Sequence, residues 1–173
     1  YGEEAPFLYF VSHTDPDLVK AVREGRKKEF AAFHLEGEYK DPESHDTFHE
    51  SQLKWNWQSG KHKALRELYQ HLIQLRQSIP ALKNLDKKNL EASAIEQDKL
   101  LFLHRWHDES QIFCIMNFND KNVNFNPTVP NGNWQKILDT SESKWMGSGS
   151  TMPDKLIPQQ LTIPPQSFAL YQQ

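Results

Sequence analysis

Lys61-His62-Lys63-Ala64-Leu65-Arg66-Glu67-Leu68-Tyr69-Gln70-His71-Leu72-Ile73-Gln74-Leu75-Arg76-Gln77-Ser78-Ile79-Pro80-Ala81-Leu82 is the one long stretch of this chain whose apolar residues keep a single period. Leu65, Leu68, Leu72, Leu75 and Ile79 follow at spacings of three and four, which stacks them on one side of a 3.6-residue helix. Arg66, Gln70, Gln74 and Gln77 take the other side. The spacing predicts a helix over about 61–79 with one buried face, widened by Tyr69 and Ile73, and Pro80 limits its length.

Outward from this helix the chain has two characters. On its N-terminal side, Tyr1 to His13 is aromatic but aperiodic and reads as a structured loop. Asp15-Pro16-Asp17-Leu18 is a helix start, with Asp15 as cap, Pro16 in the first turn and Asp17 favoured by the helix dipole. That helix is expected over about 15–33, with Leu18, Val22, Phe30 and Phe33 on its buried side. Gly25 in its middle costs roughly 1 kcal/mol relative to Ala, which hints at close packing or a kink. His34 to Ser59 is polar and irregular. A loop of that length is commonly functional or packed on a larger body, and Trp55 and Trp57 argue against disorder.

On the C-terminal side the period becomes strand-like. Leu100 to Trp106 and Gln111 to Phe118 are two strands joined by a hairpin loop at His107-Asp108-Glu109-Ser110. Ile112 to Met116 is apolar on both faces and belongs in the centre of a sheet. Val123–Phe125, Trp134–Leu138, Leu161–Ile163 and Ser167–Tyr171 continue the pattern, and Ser141 to Pro153 is a Ser/Gly-rich loop. The fold class is α+β, closing in an antiparallel β-sandwich domain.

Composition narrows the function. The chain has 173 residues, 25% charged and 37% apolar, with a net charge of -3. That balance carries no electrostatic footprint for nucleic acid, and the basic run Arg23, Arg26, Lys27, Lys28 reads as a solvated helix face. No run of about 18 apolar residues exists, so no membrane partner is expected. The single cysteine, Cys114, lies among apolar neighbours and suits a reducing, cytoplasmic setting. The first residue is Tyr1, so the chain is read as a piece of something longer.

Glu3-Glu4 are sequence neighbours that point apart and read as loop charges rather than a catalytic dyad. His45 and His49, four apart, have the spacing of helical metal ligands, but Asp46-Thr47-Phe48 has weak helix propensity and no third ligand suggests itself. No cofactor and no metal site are expected. Phosphate loops, CxxC pairs and G-x-S-x-G elbows are missing from the sequence. Aromatic side chains carry more weight, because sugar rings offer apolar faces that stack on flat side chains. Tyr9, Phe10, Trp55, Trp57 and Trp145 qualify, with core packing the preferred reading for Trp55 and Trp57.

Gly2-Glu3-Glu4-Ala5-Pro6-Phe7-Leu8-Tyr9-Phe10, then His13 and Asp15, then Val22-Arg23-Glu24-Gly25-Arg26-Lys27-Lys28-Glu29-Phe30, resemble the stretch after the last barrel strand of the maltooligosyltrehalose trehalohydrolases, in the α-amylase superfamily. Leu72-Ile73-Gln74-Leu75-Arg76 and Ile79-Pro80-Ala81-Leu82 are similar to the superfamily's final barrel helix. Leu161-Thr162-Ile163-Pro164-Pro165 and Ser167-Phe168-Ala169-Leu170-Tyr171 look like the family's closing strands.

The resemblance implies that residues 1–86 are the end of a catalytic (β/α)8 barrel, namely its last βα loop and final helix, and that 87–173 are a C-terminal all-β domain. The βα loops of such barrels build the catalytic face. It therefore implies a retaining glycosidase that releases trehalose from maltooligosyltrehalose. Tyr9, Phe10, His13 and Arg26 are the candidate substrate-binding residues, with Arg26 either bonding hydroxyls or pinning the loop. No catalytic residue carries over, because the family's three acids lie on earlier strands, and retaining hydrolysis needs two carboxyl groups about 5 to 5.5 Å apart. The expected partner is an α-glucan or maltooligosyltrehalose, reached through the missing barrel, and the isolated piece is expected to be inactive, fragile or self-associating. A branching enzyme, and a non-catalytic carbohydrate-binding module using Trp134 or Trp145, are the alternatives.

Overall fold

The computed structural model describes residues 2–32 and 39–173. They form two compact units, residues 1–58 and residues 59–173. The helix over 61–79 groups with the β strands, so compactness divides the chain at 58/59, upstream of the 86/87 boundary expected from the barrel resemblance.

In unit 2, α3 spans Gly60–Ser78 and α4 spans Pro80–Lys83. The stop is physical: Ile79 takes an extended backbone, its N–H still closing on Leu75 O, and Pro80 starts a new helix where it needs no donor. Eight strands follow: β1 (Leu90–Ile95), β2 (Leu100–His107), β3 (Ser110–Asn117), β4 (Val123–Phe125), β5 (Trp134–Asp139), β6 (Lys155–Leu156), β7 (Leu161–Ile163) and β8 (Ser167–Gln172). Six make one antiparallel sheet in the order β1-β2-β3-β8-β5-β6, and β4 and β7 pair as a smaller second sheet.

The apolar run of β3 is explained by burial on both faces. Phe113 and Ile115 turn toward β4 and β7, in a cluster with Leu100, Phe102, Val123, Trp134, Leu161, Ile163 and Tyr171. Ile112 and Cys114 turn the other way, against Ile79, Ala81, Leu138 and Leu170, where Leu68, Leu72 and Leu75 of α3 pack. Successive strand residues face opposite sides, so a sheet covered on both faces needs consecutive apolar residues. Each such side chain contributes roughly 1.5 to 3 kcal/mol by leaving water.

The helix stripe is narrower than its sequence suggests. Tyr69 and Ile73 are 61% and 52% exposed, while Leu68, Leu72, Leu75 and Ile79 pack on the sheet. The Ser/Gly-rich loop is tied down rather than loose. Asp139, fully buried, accepts from Ser141 N at 2.8 Å, from Ser141 Oγ and from Ser150 Oγ, while Lys136 Nζ donates to Met152 O at 2.9 Å. Gly147 fits against the Ser141 backbone, where an added Cβ would stand 2.3 Å away.

In unit 1, α1 spans Pro16–Ala32 and α2 spans His45–Glu50. Asp15 caps α1 as its sequence predicts, accepting from Asp17 N at 2.9 Å. Its apolar stripe is only partly covered: Leu18 is 44% exposed and no residue of α1 is buried, Phe30 meets the Tyr39 ring edge to face with centroids 6.3 Å apart, and Phe33 lies outside the described residues. Gly25 is not a close-packing site, since a Cβ there would meet nothing within 4 Å. α2 forms within a segment expected to be irregular, because Ser44 caps it by accepting from Asp46 N at 3.1 Å and Thr47 buries its hydroxyl on Asp41 O at 2.6 Å. No helix among the described residues is long and apolar enough to cross a membrane.

Candidate functional site

The aperiodic N-terminal stretch is held in unit 1 by its backbone. Val11 N donates to Pro42 O at 2.9 Å and His13 N to Glu43 Oε2 at 3.2 Å. These bonds leave Tyr9 and Phe10 at the surface, 49% and 47% exposed. Aromatic rings exposed together are uncommon enough to call for a ligand or a covering surface.

Arg26 of α1 lies over the Tyr9 ring, its guanidinium carbon 4.8 Å from the centroid, and pairs with Glu29 at 2.5 Å. Phe10 meets Phe48 of α2 edge to face, centroids 5.2 Å apart. Beside them lies a cavity of about 340 Å³, lined by Phe10, Val11, Ser12, Glu43, His45 and Phe48 among others. Glu43 uses one oxygen to hold His13 N, and its Oε1 is buried with no protein partner. A buried carboxylate oxygen without a donor is costly, and a ligand hydroxyl would satisfy it.

The four candidate binding residues thus fall into two groups: Tyr9 with Arg26, and Phe10 and His13 each held against the α2 segment, through Phe48 and Glu43 respectively. Glu43 and Phe48 were not singled out in the sequence. Their signal was the Ser44 cap, which converts an apparently irregular loop into a short helix that aims Phe48 at Phe10.

Charge pairs brace this arrangement. Arg23 Nε donates to Asp41 at 2.9 Å, Tyr39 Oη donates to Arg23 O at 3.1 Å, and Lys40 pairs with Glu50 at 3.1 Å. Burial works to raise the Asp41 pKa, but the hydrogen bonds from Arg23 and from Glu43 N outweigh it and hold this carboxyl below its ordinary value. Tyr39 is raised, chiefly by desolvation and then by Asp41.

The other candidates separate clearly. Trp55 is 64% exposed and Trp57 half-buried, so neither is the core tryptophan its spacing suggested. Trp134 is 1% exposed and its Nε1 donates to Pro130 O at 2.7 Å, which removes it as a stacking platform. Trp145 is stacked on His71, centroids 5.8 Å apart, with Lys144 over its ring. His45 and His49 do share a helix, yet no group of three His, Cys, Asp or Glu residues able to hold a metal ion occurs among the described residues. Cys114 is buried, and desolvation pushes its thiol far up, so it is an inert core residue. Exposed rings, a guanidinium and one unpaired carboxylate oxygen can bind and orient a polyhydroxylated ligand.

Residues 93–173 match the family model described as the alpha amylase C-terminal all-beta domain. The sheet of unit 2 is thus similar to the all-beta domain that closes the alpha amylases. A malto-oligosyltrehalose trehalohydrolase of Rhizobium sp. (strain M-11) is 36% identical over 126 residues, covering 71% of this chain and 20% of that relative. One from Brevibacterium helvolum is 40% identical over 95 residues, covering 54% of this chain and 16% of the relative. The crystal structure of a putative alpha amylase from Salmonella typhimurium superposes with a TM-score of 0.66 at 25% identity, covering all of this chain and 26% of that one. The chain therefore spans a fifth or less of the length of these curated relatives. The resemblance to the C-terminal portion of this glycosidase group, expected from the sequence, is met by these relatives. The matched region begins within β1, so α3 and α4 precede it in the chain while packing on its sheet.

Proposed function

We propose that this chain is the C-terminal portion of a glycoside hydrolase that cleaves the α-1,4-glucosidic bond next to the terminal trehalose unit of maltooligosyltrehalose and releases trehalose. The observation that carries this reading is the match to the Rhizobium trehalohydrolase. It covers 71% of this chain, more than residues 59–173 alone supply, so it reaches beyond the widely shared β domain into unit 1.

On this reading residues 1–86 complete a (β/α)8 barrel and 87–173 cap it. Unit 1 is the last βα loop, at the end of the barrel where catalysis takes place. Tyr9 and Phe10 then offer ring faces to a glucose unit, Glu43 accepts a sugar hydroxyl, and His13 is set in place by Glu43. Arg26 pins Tyr9 more than it reaches for substrate. The exposed shoulder of α3, Tyr69 and Ile73, is covered by the rest of the barrel, and bare in this piece it favours self-association. The catalytic acids are supplied upstream, in a cytoplasmic enzyme, and residues 1–173 alone turn over nothing.

The test is product analysis on the longer protein that carries this chain. Supplied with maltooligosyltrehalose, it should liberate free trehalose. Transfer of glucan to form new branches, with no trehalose, would instead identify a branching enzyme.

A further inference from the structure

The face of the large sheet that packs on β4 and β7 is not covered along its whole length. The register sets Glu91, His104 and Phe113 in one row across β1, β2 and β3, and Ser93, Phe102 and Ile115 in the next, so all six share a face. Phe125 of β4 stacks on Phe102, centroids 5.5 Å apart, and closes the core there. Toward Trp106, which pairs with Gln111, the sheet outruns that cover. A cavity of about 730 Å³ opens between the sheet end and the loop carrying Thr128 and Pro130.

Its walls have a definite chemistry. The half-buried Trp106 lies 5.0 Å from His104, centroid to centroid, and His104 is held by Gln111 at 2.9 Å and meets the Trp134 ring edge to face, centroids 5.9 Å apart. The ring surface is therefore fixed in place before any ligand arrives. Around it stand Glu91, Ser93, Asp108 and Thr128, with the carboxylates of Glu91 and Asp108 74% and 89% exposed. Among the described residues no lysine or arginine lines the cavity. Acceptors without cations disfavour phosphates and nucleic acid, whereas a flat apolar surface edged by carboxylates and hydroxyls suits a neutral ring with an apolar face and donor hydroxyls.

We propose that this groove at the β1 edge is a carbohydrate-binding site of the β domain, with Trp106 as the stacking platform and Glu91 and Asp108 as hydroxyl acceptors. The groove chemistry alone calls for a neutral saccharide, and the choice of an α-glucan chain rests on the proposed function. Trp134 and Trp145, the tryptophans that the sequence offered for a carbohydrate-binding module, take no part as platforms.

The probe is maltoheptaose, titrated into the 173-residue chain and followed by tryptophan fluorescence and calorimetry. Saturable binding is expected, weakened at least about tenfold by Trp106→Ala, the scale of losing an aromatic contact and its buried area, and several-fold by Glu91→Gln or Asp108→Asn. Circular dichroism checks that each variant is folded. Should Trp106→Ala fail to fold, the two exposed acidic variants decide: weakened binding supports the site, and unchanged binding overturns it. Absence of saturable binding to the folded chain also overturns it, as does choline binding at Trp106 in place of the sugar. If Tyr9→Ala abolishes binding while Trp106→Ala leaves it intact, the saccharide belongs to unit 1 and the groove proposal falls while the proposed function stands. Conversely, a longer protein that releases no trehalose would overturn that function without touching maltoheptaose binding here.

Discussion

Units 1 and 2 differ in what holds them. Every buried hydrophobic side chain among the described residues lies between Ile79 and Tyr171, in two clusters on opposite faces of one sheet. Unit 1 buries Pro42 and Thr47 and leaves Phe7, Tyr9, Phe10, Leu18, Phe48 and Trp55 exposed. Among its described contacts are caps, backbone bonds, ring contacts such as Phe10 on Phe48, and surface ion pairs, the last of which are each worth little in water. A region whose described aromatic residues are mostly exposed is poorly suited to be scaffold, whereas a strand buried on both faces is suited to little else.

The sharpest way to break this comparison is to cut one leucine from each unit. Leu170→Ala empties a site 3% exposed beneath α3 and should cost about 2 to 5 kcal/mol in urea or thermal unfolding. Leu18→Ala, on α1, should stay within about 0.5 kcal/mol. Equal losses would show that unit 1 has a core after all. Gly147→Ala comes next: its Cβ would meet the Ser141 backbone, which cannot swing aside as a side chain tip can, and about 1 to 3 kcal/mol should be lost. Gly25→Ala should go the other way, gaining up to about 1 kcal/mol of helix stability, readable as added helical ellipticity, because nothing surrounds that position. A loss there would mean that α1 packs closely.

The smallest effect is that of acid. Asp41 titrates below its ordinary 3.8 in the folded chain, so its contribution is complete above that value and is lost as pH falls through the folded value. The Arg23 and Asp41 side chains are 48% and 37% exposed, so the loss is modest and shrinks with salt. Tyr39, held to Arg23 O, should report it: its fluorescence should respond to acid in the wild type and not in Arg23→Ala.

What was legible in the sequence follows the same division. α3, its stop at Pro80, the β2–β3 hairpin and the central place of β3 were readable because burial imposes a period on consecutive residues. β1 was not, since Glu91, Ala92, Ser93 and Ala94 are indifferent strand formers on an exposed edge, set in place only by pairing with β2. The stripe of α1 misled in part, because periodicity implies full burial, whereas Leu18 stays exposed and Phe30 is only half-buried against Tyr39. Tyr9, Phe10, His13 and Arg26 were named from the sequence as candidates, whereas the placing of Glu43 and Phe48 beside His13 and Phe10 depends on a single capping serine. Trp106 was hidden inside a run correctly read as strand, because alternation says which residues share a face and not where that face lies open.

The most direct measurement is steady-state trehalose release by the longer protein carrying Tyr9→Ala. A higher KM or lower kcat with unchanged melting temperature is the result expected if unit 1 faces substrate. Unchanged kcat and KM would contradict it and leave the exposed rings of unit 1 as packing surface.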